Sequence, residues 1–363
     1  MWTMLLPPGY DRPMGLVRLF LALVVAADHW RQYFVAAKLP FIDDDSFKLG
    51  FNSGYAVLFF YVISGFLITY TLSMNYTTNV AGTLGFYRKR FIRIFSLYWP
   101  LLILSWLLFP AEWSHFLAAE SWDKMTNIFL IGMDWRIPFA SYPAEHWAAA
   151  PGAIHQAWTL GAELTFYLVA PLLMRSWKVA VLVLVVSFGV RAAFVMDAPT
   201  GAPTIWTYYF TVTSFGFFIL GHLACLAGRR WRPLAIPGLG VVMLVCSFAV
   251  MLWGDHRNFD GTRLWGSVLL FALALPGLFE ATKEVRWMNK LGDLSYPVYL
   301  AHGIVMSLVE TWLVAAVLPL GNYPMVGAAM VVTVLASWVV HKGIEEPVAA
   351  VMRKTRWRTV PAE

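Results

Sequence analysis

Apolar residues along this chain run in long blocks separated by short polar connections, without the strict alternation of a half-buried strand. A membrane-spanning helix needs roughly 20 mostly apolar residues. That length picks out ten stretches: 16–37, 51–73, 94–110, 157–174, 178–196, 204–227, 234–253, 263–281, 294–318 and 324–341. The pattern predicts an all-α integral membrane protein of about ten transmembrane helices in a single bundle, with residues 1–347 as the membrane domain and 348–363 as a short basic tail. The longest connection, 111–156, contains Trp113, Trp122, Trp135 and Trp147. A lid or acceptor-binding surface and an interfacial tryptophan belt both account for it.

Composition sharpens this picture. Of the 363 residues, 59% are hydrophobic and 13% charged, against about 45–50% and 25% in soluble domains, and the mean hydropathy is +0.63. The net charge of +6 does not describe a nucleic-acid-binding face, because the basic residues sit between apolar blocks rather than on a soluble module. An even number of spans places both termini on one side, and Lys/Arg asymmetry makes that side cytoplasmic. Arg88, Lys89, Arg90, Arg229, Arg230, Arg232, Arg353 and Lys354 then face inward, whereas Asp43, Asp44, Asp45, Glu120, Asp134 and Asp260 face outward. No cleavable leader is expected, since residues 1–13 are polar and Pro-rich and the following apolar run lacks a small-residue cleavage pattern. Cys225 and Cys246 both fall in apolar stretches and cannot build a disulfide framework or a zinc site. P-loop, dinucleotide and His-Glu-x-x-His motifs are missing, and Ser64 lies outside any Gly-x-Ser-x-Gly elbow.

Ionisable residues inside a membrane are costly, so each raises the question of a function or a partner. Arg18 and His29 stand eleven residues apart in the first span, which returns them to nearly the same helix face about 16 Å apart. Asp28 adjoins His29 but points about 100° away. Arg90 and Arg93 share a face in the basic-aromatic segment 86–98; retention of positive charge on the inner side accounts for them, as does a phosphate-bearing ligand held by guanidinium groups. Thr159, Glu163 and Tyr167 follow at i, i+4, i+8 in the fourth span, where Glu163 must be protonated or paired, with an arginine as the expected partner. Ser295, Tyr299 and His302 form a second polar stripe, while His222 and His341 each stand alone in a span. Interhelical hydrogen bonding is the plain account of these last groups.

Five segments in this order resemble the membrane-bound acyltransferase-3 family, whose members O-acylate bacterial carbohydrates and other acceptors. They are Arg18 with His29; Phe59-Phe-Tyr-Val-Ile-Ser-Gly-Phe66; the stretch 86–98; Trp158-Thr-Leu-Gly-Ala-Glu-Leu-Thr-Phe-Tyr167; and Leu291-Gly-Asp-Leu-Ser-Tyr-Pro-Val-Tyr-Leu-Ala-His302, followed by a closing Ile344-Glu-Glu-Pro347. Ser96 stands where the family often has proline, and Ala56 and Leu58 depart from a common Gly-Val-Asp start of the second segment.

The resemblance implies a bacterial inner-membrane enzyme with a cytoplasmic acyl-CoA donor, most simply acetyl-CoA, and no bound cofactor or metal. The acceptor is a hydroxyl of an envelope saccharide or lipid-linked glycan reached from the outer side, in the setting of a polysaccharide synthesis or export complex. His29, Asp28 and Glu163 are the expected catalytic residues, with Arg18, Arg90, Arg93, Ser64 and Tyr167 on the acyl-CoA and Tyr299 and His302 in support. His29 is either a general base or a transient acyl carrier. Some members carry an extra helix and an outer hydrolase-like domain; neither is expected here, so transfer is expected to finish on this chain or on a separate protein. The rival reading is a transporter or flippase, which would use the same intramembrane charges, although no repeated halves are visible. A non-catalytic membrane scaffold is a third reading, disfavoured by the number of those charges.

Overall fold

The computed structural model describes residues 13–36, 52–75, 79–139, 154–197, 205–252, 260–317 and 322–354, and these are helical with short turns between. Residues 1–12, the acids 43–45, Trp147 and everything beyond 354 lie outside the described residues. The long helices are α1 (Gly15–Ala36), α2 (Ser53–Asn75), α3 (Val80–Leu108), α7 (Trp158–Leu173), α8 (Trp177–Asp197), α10 (Thr211–Arg230), α11 (Pro237–Leu252), α12 (Thr262–Thr282), α14 (Ser295–Val317) and α15 (Asn322–Val340).

Each predicted stretch overlaps one of these helices, most within a few residues at the ends, but α3 starts fourteen residues before the predicted 94 and α10 seven residues after the predicted 204. Six helical segments among the described residues have the length and apolarity to cross a membrane, and the sixteen-residue α11 is a shorter apolar helix. The two helices that carry most of the polar groups discussed below, α1 and α7, fall outside those six. Arg18, Asp28, His29, Arg31 and Gln32 dilute α1, and α7 has only 16 residues.

Two local features differ from the sequence expectation. The segment 86–98 is not a connection but the middle of α3, which starts at Val80 where the Asn79 side chain accepts from the Gly82 amide at 2.9 Å. Nor does the bundle end at residue 347. After α15 the chain makes one π turn, His341–Glu345, and continues as α16 (Glu346–Lys354), which packs on α3. There Arg88 donates to the Arg353 carbonyl at 2.7 Å. The connection after α3 folds as three short helices, α4 (Pro110–Ala118), α5 (Ser121–Phe129) and α6 (Met133–Phe139), and two further short helices, α9 (Ile205–Tyr208) and α13 (Arg286–Gly292), precede α10 and α14.

Helices α2 and α10 cross at the centre of the molecule. A Cβ on Gly65 would fall on the Phe218 carbonyl, and one on Gly221 would fall on that of Val62. The glycine after Ser64 therefore buys backbone contact between the two helices. Stacked rings fill the remaining space, Tyr61 on Phe218 at 4.5 Å, Phe166 on Phe218 at 4.2 Å and Phe59 on Phe271 at 4.2 Å between centroids. α1 packs against α2 and α14, so the faces of α1, α2, α7 and α14 meet around one interior line.

Candidate active site

That line starts at a pair of histidines. His29 on α1 and His302 on α14 meet with Nδ1 of the first 2.8 Å from Nε2 of the second. The other ring nitrogen of His302, Nδ1, lies 3.1 Å from the Val298 carbonyl. A carbonyl only accepts, so His302 Nδ1 carries a proton, and in the neutral ring its Nε2 is an acceptor. His29 must then donate from Nδ1, which leaves its Nε2 lone pair unprotonated. His302 is fully buried, whereas His29 retains partial exposure. The arrangement aims a basic nitrogen from a fixed ring.

Tyr299, one turn before His302, bonds Thr159 on α7 at 2.7 Å between hydroxyls. Phe60 packs edge-on against Tyr299 at 5.8 Å. One turn along α2 from Phe60, Ser64 donates to Glu163 Oε1 at 2.7 Å, and Tyr167 donates to the same oxygen. The Arg90 guanidinium lies over the Tyr167 and Phe86 rings, 5.5 and 5.3 Å from their centroids. The i, i+4, i+8 stripe of α7 thus faces inward along its whole length, its three side chains meeting α14, α2 and α3 in turn. Glu163 does not pair with an arginine, as the sequence suggested; no arginine stands within ion-pair distance of it among the described residues, and two hydroxyl donors hold its carboxyl instead.

Arg90 and Arg93 are not equivalent. Arg93 donates to Glu345 Oε1 at 3.2 Å and lies over the Tyr296 ring at 4.9 Å. Glu345 sits in the π turn and also accepts from His341 Nδ1 at 2.7 Å. Insertions of this kind often re-aim side chains at functional sites, and here the extra residue turns Glu345 into α3. Arg18 stands three turns along α1 from His29, half-buried. Asp28 accepts from Arg31 Nε at 3.0 Å, Gln32 Nε2 at 3.1 Å and Ser53 Oγ at 2.5 Å. It fastens the start of α2 to α1, and its charge lies within electrostatic reach of His29. His222 bonds Thr69 on α2 at 2.9 Å, away from the line.

Three groups near the histidine end were not among the site residues expected from the sequence. Gln156, in the 3-10 turn His155–Ala157, donates to the Leu300 carbonyl at 2.8 Å and packs on Gly303. His155 beside it lies within electrostatic reach of His29. Asp134 on α6 is fully buried and accepts from the Thr211 hydroxyl.

Burial pushes the Asp134 carboxyl up from 3.8 to about 7. Between those values the folded protein binds more protons than the unfolded chain, so the stability linked to this group is fully present below pH about 4 and is lost as pH rises through about 7. Asp134→Asn is expected to gain on wild type as pH rises from 4 to 8, with a ceiling of about 4 kcal/mol. Melting curves of the two proteins at both pH values check this; an offset independent of pH would contradict it.

Among known proteins, the family described as acyltransferase domain matches residues 14–342. The chain is 26% identical over 317 residues to Nodulation protein 10 of Rhizobium leguminosarum bv. viciae, covering 82% of this chain and 83% of that protein. It is also 26% identical over 321 residues to the O-acetyltransferase OatA of Staphylococcus aureus (strain NCTC 8325 / PS 47), covering 80% of this chain and 51% of that one, about half of OatA. No solved structure matches.

Proposed function

We propose that this chain, a multi-pass membrane protein that belongs to the acyltransferase-3 family, moves an acyl group, most simply acetyl, from cytoplasmic acyl-CoA to a hydroxyl of an envelope saccharide or lipid-linked glycan. The cell membrane that holds it is then a bacterial inner membrane, with the arginine end of the site on the cytoplasmic side. The observation that carries the reading is the histidine pair, in which the Val298 carbonyl fixes one tautomer and thereby the other.

In this reading the CoA phosphates rest on Arg90 and Arg18. The pantetheine arm runs past Tyr167, Ser64 and Phe60 toward His29, about 16 Å along α1. The acceptor hydroxyl gives its proton to His29 Nε2 as its oxygen attacks the thioester carbonyl. Collapse of the tetrahedral intermediate breaks the carbon–sulfur bond, and the imidazolium returns the proton to the departing thiolate. The products are the ester and free CoA, with no net proton change. Arg93, tied to Glu345, shapes the mouth rather than competing for phosphate. Ser64 and Tyr167 hold Glu163 in place, and the Thr159–Tyr299 bond holds α14 against α7. Transport is the weaker reading, because it gives the fixed tautomer nothing to do.

The test is thiol release from acetyl-, propionyl- and succinyl-CoA by protein in nanodiscs. Release is expected with one preferred donor, and Arg90→Ala is expected to raise the KM for that donor about tenfold, the scale of one charge-assisted contact of about 1.5 kcal/mol. An unchanged KM would remove Arg90 from the donor site, and acyl-CoA that binds but is never turned over, with or without added glycan, would remove the reaction.

A further inference from the structure

Three buried polar atoms on the histidine side of the bundle have no hydrogen-bond partner among the described residues: Asp134 Oδ1, Ser214 Oγ and Tyr61 OH. Their residues are 0%, 0% and 3% exposed. Leaving even one such group unpaired costs free energy, and native structures rarely do so without a ligand or water.

The three belong to one place. Thr211, which donates to the other oxygen of Asp134, lies one turn before Ser214 on α10. One turn further, Phe218 stacks on Tyr61. The hydroxyl of Tyr61 lies in the neighbourhood of Tyr299, Tyr208 and Asp134, and Tyr299 is the residue one turn from His302. Space beside Asp134 is kept by Gly161 on α7, where a Cβ would stand 3.1 Å from Oδ1. Leu130 and Gly132, at φ values of +64° and +83°, make the tight turn that brings α6 in from the end of the bundle to deliver Asp134 there.

The chemistry of the lining selects a ligand class. A carboxylate oxygen accepts from hydroxyls, and serine and tyrosine hydroxyls both donate and accept. We propose that Asp134, Ser214 and Tyr61 form the inner end of the acceptor site and bind a polyhydroxylated ring, a saccharide, beside Tyr299 and within reach of His29. This rests on the acyl-transfer reading and adds the acceptor's place to it.

The variants Ser214→Ala and Tyr61→Phe test it, because each removes only an unpartnered oxygen. A purely structural role predicts equal or higher melting temperatures and normal transfer. The assay follows labelled acetyl transfer from acetyl-CoA to the envelope glycan fraction of the source cells, with thiol release by wild type and His29→Ala measured alongside. A KM for the glycan at least tenfold higher in both variants, with melting temperatures not below wild type, is the expected result. Unchanged KM values would overturn the proposal. So would thiol release by wild type without glycan labelling at rates equal in both variants, which would leave these three polar atoms to bound water. Absence of any His29-dependent thiol release or labelling would instead defeat the acyl-transfer reading, and the acceptor site with it.

Discussion

His29→Gln is expected to lower acyl transfer by roughly 10²–10⁴-fold, the range that a positioned general base contributes, while leaving the fold intact. Glutamine keeps an amide N–H that can still donate to His302 Nε2, so the contact between α1 and α14 survives. It has no basic nitrogen to take the acceptor proton and none to carry an acyl group. The measurement is kcat for thiol release and transfer beside the melting temperature. Normal transfer by a folded variant would sink both roles for His29. Acid quenching during turnover then separates them: a trapped acyl-histidine in wild type makes the ring a carrier, and its absence at a catalytically competent time leaves the base.

The helices were legible because a membrane span is a local property, written in the length and apolarity of its own residues. Site faces were legible where a helix repeats a polar residue at its own period, as with Thr159, Glu163 and Tyr167. What each face meets was not. His29 and His302 are 273 positions apart, and nothing in the spacing of either stripe says that they touch. Glu163 looked like a carboxylate in need of an arginine, but hydroxyls from α2 and from its own helix hold it instead.

Arg90 and Arg93 read as equals one turn apart, and they are separated only by Glu345, delivered by a π turn that no periodicity announces. The positive-inside pattern marked their end of the chain without distinguishing their roles. Asp134 was hidden among the acids of the long connection. Its one local cue is the apolar run 128–133 just before it, which buries the turn that carries it. A charged residue in a polar-looking connection reads as solvated until the connection is seen to fold inward.

His302→Phe is expected to reduce kcat by roughly 10²-fold with little change in the KM for acyl-CoA. The ring shape is kept, so α14 still packs on α1, but the acceptor for His29 Nδ1–H is gone. The loss of a comparable orienting group in a serine protease triad costs about 10⁴-fold by leaving the wrong tautomer. Here the partner is neutral rather than a carboxylate, so it orients the ring without adding charge to stabilise an imidazolium, and the smaller figure follows. His302→Gln discriminates between orientation and packing, since its Oε1 can accept the same hydrogen bond that phenylalanine cannot. Recovery of most of the rate in the glutamine variant, at equal melting temperature, would assign His302 to holding the His29 tautomer. Equal losses in both variants would reduce it to filling space, and the basic nitrogen of His29 would then owe its direction to α1 alone.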